Sequence, residues 1–472
     1  HLIGVDVNSV TASAGDAGAI LLQAPEIVID ANAKVLASVF QSASGAGGEV
    51  RVLAGDRLVV QGGSRIDSSS FGTGAAGRIL LDSGGSLSLL DRALVSSATI
   101  GAAPAGTIAL QAAGLLRIEG GSHIEGSTFG SGAAGSLVVQ GAEVRIGNAF
   151  LNSSTFGAGA AGQIEVQARG LLELGAGALI GAVAGEESGG QTGNIALMAA
   201  ERLIMQGSEA SISNVVTVAD PAALRPTVLS LMAPVIELQS AKVSATATGN
   251  ANASRIEIKA GERLDIKDSL VITSANDGDG GDLSASAGRA IKLENSGLIT
   301  SVLGTEATGD GGDILVQTEL LVMDKGFIQA NTAAAGARGG NVRIDVDAVV
   351  PVGGRLMVGG DRPLQFIPGE NRVNVIQAAA PDGVSGNVAV TSQIDLAAAL
   401  ALLERRLLDA VGLGRGPCDR VGGSSLGLSG RGGLPSWLGV PGVPAAPERP
   451  SSPTAPKRPL SGRAPGVTGD CA

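Results

Sequence analysis

The chain has 472 residues, with 73 Gly, 7 Phe, 1 Trp, no Tyr and a formal charge of −11. Phosphate recognition needs clustered Lys/Arg, and single-strand binding needs aromatic platforms, so this balance excludes a nucleic-acid partner. Abundant Gly and scarce aromatics suit many short strands joined by tight turns better than packed helices.

The start, "HLIGVDVNSV", has neither Met nor a charged-then-apolar signal, so the chain reads as beginning in mid-pattern, without an export segment. No apolar run reaches the roughly 18 residues of a membrane span, which argues against an integral membrane protein. A repeat follows. Alternating segments are anchored at Gly18, Gly48, Gly77, Gly106, Gly135, Gly162, Gly193, Pro226, Ser254, Gly281, Gly312, Gly340 and Gly386, mostly 27 to 33 residues apart.

A second alternating pair sits midway in each unit, as in Leu58/Val60, Leu116/Ile118, Leu203/Met205 and Leu321/Met323. A third segment follows, as in "SRIDSSSFG" and "SHIEGSTFG". Three short strands per unit of about 29 residues is the arithmetic of a parallel β-helix, here of about thirteen coils and roughly 60 Å long.

The phrase "STFGSGAAG" at Ser127–Gly135 repeats as "SSFGTGAAG" at Ser69–Gly77 and "STFGAGAAG" at Ser154–Gly162. Phe71, Ile100, Phe129 and Phe156 are spaced by 29, 29 and 27 residues, so coiling stacks them in a ladder, expected to be core or near-surface packing. The Gly-Ala-Ala-Gly that follows is expected to turn the chain, using small residues and positive φ.

Four stretches depart from the unit: Gly181–Thr192, Ser213–Arg225, Leu303–Gly311 and Pro351–Ser385. On a solenoid, insertions are either binding loops or drift in a tolerant scaffold. "NDGDGGDL" at Asn276–Leu283 and "GDGGDIL" at Gly309–Leu315 offer Asp277, Asp279 and Asp282, or Asp310 and Asp313, as oxygen ligands of the type Ca²⁺ takes. The Gly-Gly-x-Gly-x-Asp order is absent from both, and position twelve counted from Asp277 is Gly288 rather than Glu. Polar turns are therefore expected, with no metal and no cofactor.

The repeat domain is placed at 1–392. "DLAAALALLERRLLDAVG" reads as a capping helix over 393–412, with Asp395 as N-cap and Gly412 as stop. The Gly/Pro-rich residues 413–472 lack a core-forming pattern and read as a disordered tail.

An enzyme on such a scaffold, a polysaccharide lyase or hydrolase, needs grouped carboxylates or Ca²⁺ with Arg/Lys on one face. Here Glu49, Arg51, Arg78, Glu119, Glu165 and Glu173 alternate with apolar residues, which marks a solvated outer face. His1 and His123 are the only histidines, and His123 shares a strand position with Arg65 and reads as a surface side chain. No nucleophile set assembles around them, so no catalytic residue is assigned and the chain is expected not to be an enzyme.

The units "GRILLDSGGSLSLLDRALVSSATIGAAPAG" and "GLLRIEGGSHIEGSTFGSGAAGSLVVQ" resemble repeats of filamentous-haemagglutinin-like exoproteins of the two-partner secretion type, especially the cyanobacterial set. "DRPLQFIPGENRVNVIQAAAPDGVSGNVAV" resembles their last coil, and "CDRVGGSSLGLSGRGGLP" from Cys418 to Pro435 resembles their closing segment. The resemblance covers nearly the whole chain; the family's amino-terminal secretion domain is not part of it. It implies a right-handed parallel β-helix, an outer-membrane transporter as export partner, and an extracellular or cell-surface adhesin that binds a glycan or protein through sheet faces and loops. It supplies no catalytic residues. The rivals are a carbohydrate-active β-helix enzyme and a single-chain autotransporter passenger, the latter disfavoured because the Pro-rich ending lacks aromatic-rich barrel strands.

Overall fold

A computed structural model describes residues 1–304 and 309–394, which form a parallel β-solenoid of about 12 turns. The capping helix expected from 393 and the tail at 413–472 lie outside those residues, except that the strand Val388–Ile394 runs on through 394. The only helical element among the described residues is a short 3₁₀ turn, Pro221–Ala223.

All strand pairs join one coil to the next in parallel. In the first sheet the column runs Ile20, Val50, Ile79, Ile108, Leu137, Ile164, Ile195, Leu229, Ile256, Leu283, Ile314, Val342 and Val388, one residue from each of the thirteen anchored segments. The degraded unit at Pro226 keeps register, with Leu229 and Leu231 fully buried. The midway pairs form a second sheet, and Val7, Val35, Ile66, Val95, Ile124, Leu151, Ile180, Ala210 and Val243 begin a third. Columns from all three sheets meet in one continuous apolar core. Each such side chain leaves water only because its neighbours above and below do, so burial worth about 2 kcal/mol per residue is gained cooperatively along the stack.

The glycine phrases turn the chain differently from expectation. Gly77, Gly106, Gly135 and Gly162 do not have positive φ. They are needed for close approach instead, because a Cβ on Gly135 would overlap the Gly106 carbonyl oxygen one coil below, and a Cβ on Gly106 would overlap that of Gly77. Buried hydroxyls close the same corner: Ser68 Oγ donates to the Gly48 carbonyl and Ser97 Oγ to that of Gly77, each at 2.5 Å. Positive φ is concentrated at the corner between the second and third sheets, at Ala31 and Asn32, Gly62 and Gly63, Asp91 and Arg92, Gly120 and Gly121, then at single residues such as Asn148, Gly177, Gly207 and Ser240. Asn, Asp and Gly tolerate that conformation best, which explains most of this set.

The Pro351–Ser385 departure is more than a loop. It contains the strands Arg355–Val358 and Val373–Gln377. Val373–Gln377 continues the third sheet above Phe327–Thr332, with Ile376 over Ile328, and Arg355–Val358 pairs with its other edge. The chain thus lays down an outer strand first and then returns to fill the gap beneath it.

Candidate functional site

Among the described residues no group of three or more His, Cys, Asp or Glu is placed to hold a metal ion. The acidic stretches serve as coil-to-coil acceptors. Asn252 Oδ1 accepts the Asp279 N–H at 2.9 Å, Asp279 Oδ1 accepts that of Asp310 at 2.9 Å, and Asp310 Oδ1 accepts that of Arg338 at 2.8 Å. Beside them Asp282 serves Asp313, Asp313 serves Asn341 and Asn341 serves Asn387. Amide and carboxylate oxygens fill the same role, which is turn chemistry.

The departures at Gly181–Thr192 and Ser213–Arg225 fall on successive coils and border a cavity of about 500 Å³ lined by Gln191, Asn214, Arg225, Arg255, Asp279 and Asp282, among others. Its wall is well tied: Thr192, Thr227 and Ser254 hydroxyls form a chain with 2.7 Å links, and the Gln191 side chain accepts the Arg225 N–H at 2.8 Å. Asn250 holds the loop by exchanging two 2.8 Å bonds with Val218. Its lining is mixed, with Leu224, Pro226 and Val228 beside the polar groups. The third departure, Leu303–Gly311, is described only in part.

His123 lies in the column Arg65, Leu94, His123, Phe150, as its spacing implies. Its ring is 5.7 Å from that of Phe150, and a shallow groove of about 320 Å³ passes them, walled by Leu179 and Glu209. The charged residues read as an outer face are outward: Arg51 and Arg78 are exposed, and Glu49, Glu119, Glu165 and Glu173 are partly exposed, beside fully buried neighbours such as Val50 and Ile118. In later coils this face carries ion-pair ladders. Glu237 bridges Arg202 and Arg263, and Glu294 bridges Lys267 and Lys292 at 2.8 and 2.7 Å. Hydrogen bonds from Lys267 and Lys292 hold the Glu294 carboxyl down at about 2, whereas burial pushes Asp265 up against the opposing pull of Arg263.

The aromatic ladder stacks coil on coil as its spacing implies, and of the two expected placements it takes the surface one. It stands outside the core. Phe40, Phe71, Ile100, Phe129 and Phe156 are 55%, 41%, 46%, 51% and 37% exposed, Phe40 adding one coil below Phe71 to the ladder the sequence spacing implies. Each backbone N–H donates to the coil below, Phe71 to Val39, Ile100 to Ser70, Phe129 to Thr99 and Phe156 to Thr128. The preceding Ser70, Thr99, Thr128 and Thr155 are the residues that point inward and are buried. Polarity is therefore inverted here, hydroxyls in and rings out. Three of the hydroxyls bond into the following loop, Ser70 Oγ donating to the Gly74 carbonyl at 2.5 Å, Thr99 Oγ1 accepting the Gly101 N–H at 3.1 Å and Thr155 Oγ1 donating to the Gly157 carbonyl at 3.0 Å, whereas that of Thr128 is buried without a partner.

No family model matches the chain, and no curated protein and no solved structure matches it either. Among the described residues no helix is long and apolar enough to cross a membrane.

Proposed function

We propose that the chain is an adhesin-like structural protein of the cell surface, exported by two-partner secretion and acting through its sheet faces and loops. The observation that carries this reading is the closing coil. The stretch that resembles the last coil of filamentous-haemagglutinin-like exoproteins occupies the end of the described solenoid, where Asn374 and Gln377 are buried and anchored. Asn374 Oδ1 accepts the Gly326 N–H at 2.9 Å, and Gln377 Nε2 donates to the Arg362 carbonyl at 2.7 Å. Elongation along the stack and surface columns repeated from coil to coil suit multivalent contact.

The test is antibody labelling of intact and lysed cells of the source organism. The reading predicts labelling of intact cells that external protease removes; labelling only after lysis overturns it. The second reading, a carbohydrate-active enzyme, draws on the cavity that brings Arg225 and Arg255 near Asp279 and Asp282. It requires release of reducing or unsaturated ends from a polysaccharide, abolished by Arg255→Ala.

A further inference from the structure

We propose that the exposed column Phe40, Phe71, Ile100, Phe129, Phe156 is a self-association face, which seats the same column of a second copy of this chain, antiparallel, about a two-fold axis at Ile100. This does not rest on the exported reading.

The order of residues carries the inference. From the Ala12 level to the Gly185 level the column reads Ala12, Phe40, Phe71, Ile100, Phe129, Phe156, Gly185. Small, aromatic, aromatic, aliphatic, aromatic, aromatic, small is the same in both directions. Because every step is one coil, a two-fold axis at Ile100 sets Ile100 against its own counterpart, Phe71 of each copy against Phe129 of the other, and Phe40 against Phe156. That is the self-complementarity an isologous contact requires. At the end of the column Gly185 has no side chain, and a Cβ there would press on the Phe156 ring.

Charge agrees with this occupant. Residues 38–48, 68–77, 97–106, 126–135 and 153–162, which make up the face, contain no Asp, Glu, Lys, Arg or His. Two chains of charge −11 can thus meet here without opposing each other locally. The exposed Asp16 beyond Ala12 and the exposed Glu186 and Glu187 beyond Gly185 bound the neutral strip at its two ends and confine the contact to these five coils. The flanking positions Thr73, Ala102, Ser131 and Ala158 are exposed, small and uncharged. A glycan or peptide would lack the convergent amides and charges that fix a polar ligand.

Area sets the strength. With about 200 Å² per aromatic side chain, the column leaves about 450 Å² of apolar surface open on each copy, the size of the largest patch on a typical monomer, which is often functional. With the flanking residues the pair lies near the lower end of specific interfaces, so association is weak in solution and strengthened where many copies share a surface.

The test uses the full chain. Sedimentation of the native chain across concentrations is expected to show a monomer–dimer equilibrium, which Ile100→Glu, an exposed change, weakens about a hundredfold by placing like charges together on the axis. In a Cys418→Ser, Cys471→Ser background with mild oxidant, Ile100→Cys is expected to cross-link to itself. Phe71→Cys mixed with Phe129→Cys is expected to cross-link about tenfold faster than either alone. Circular dichroism confirms that each variant keeps its strands. A chain monomeric at every concentration, a dimer indifferent to Ile100→Glu, or Phe71→Cys linking to itself as fast as to Phe129→Cys overturns the proposal. So does a monomer that instead holds a glycan or peptide through Phe71.

Discussion

The Phe129 and Phe156 rings lie one coil apart with centroids at 5.1 Å and planes within 11° of parallel. Both are exposed, so their contact adds little burial but fixes two rotamers against each other. Phe129→Ala and Phe156→Ala are each expected to cost about 1 kcal/mol, with a coupling of about 0.5–1 kcal/mol in a double-mutant cycle by chemical denaturation. Strict additivity would show that the rings do not support one another.

Gly135 and Gly147 make a matched pair. A Cβ on Gly135 would overlap the Gly106 carbonyl, whereas a Cβ on Gly147 would meet nothing within 4 Å. Gly135→Ala is expected to destabilise by about 3 kcal/mol, since backbone must move, and Gly147→Ala to be neutral or stabilising by about 0.5 kcal/mol. Thermal melts of the two variants check this; equal effects would contradict close coil approach as the reason for the glycine phrase.

The acidic turns predict indifference to calcium. Because Asp279 and Asp310 each accept a backbone N–H from the next coil, Asp279→Asn and Asp310→Asn retain an acceptor oxygen and are expected to change stability by less than about 1 kcal/mol. Neither Ca²⁺ nor a chelator should move the melting temperature. A calcium-dependent rise, lost in Asp310→Asn, would mean the turns hold a cation.

Glu294 sets a pH dependence with a defined sign. Its carboxyl is depressed from 4.5 to about 2 by Lys267 and Lys292, so its contribution is fully present above pH 4.5 and lost as pH falls through 2. The ion pairs are solvent-accessible, so Glu294→Gln is expected to cost no more than about 1 kcal/mol at neutral pH and nothing near pH 1, with the difference reduced by salt. A difference that grows as pH falls would have the wrong sign.

The buried amides predict how the closing coil is held. Gln377→Leu removes acceptors for the Leu364 N–H and the Gln329 amide and a donor to the Arg362 carbonyl, leaving unpaired groups that cost about 1–3 kcal/mol. Hydrogen exchange should speed up in Val373–Gln377 and leave Leu137–Gly141 unchanged.

Much of the solenoid was legible because each strand alternates, and a pattern repeated in thirteen segments defines its own register. Leu58/Val60 and their successors were found on the buried side for that reason. The glycine phrase was legible as a corner but not in its conformation, since close approach and positive φ select the same residue. The Phe column was legible as a stack but not in its side, core or surface, because hydropathy favours Phe inward and Thr outward while the structure has the reverse. The signal for the exposed side was local: Gly-x-Gly after Phe71, Phe129 and Phe156 leaves no side chain beside them to cover the ring. Asn374 and Gln377 concealed the returning strand, as buried amides interrupt the apolar alternation by which strands are recognised.

Every coil lies in a single register, which a distance along one surface column measures directly. Phe71 and Asn276 share one column, seven coil steps apart through Ile100, Phe129, Phe156, Gly185, Val215 and Thr248. Spin labels on Phe71→Cys and Asn276→Cys, in the Cys418→Ser, Cys471→Ser background and diluted with unlabelled chain, should give one narrow distance near 34 Å, at about 4.8 Å per coil. A broad distribution, or a peak far from that distance, would contradict the stacked solenoid and every surface column derived from it.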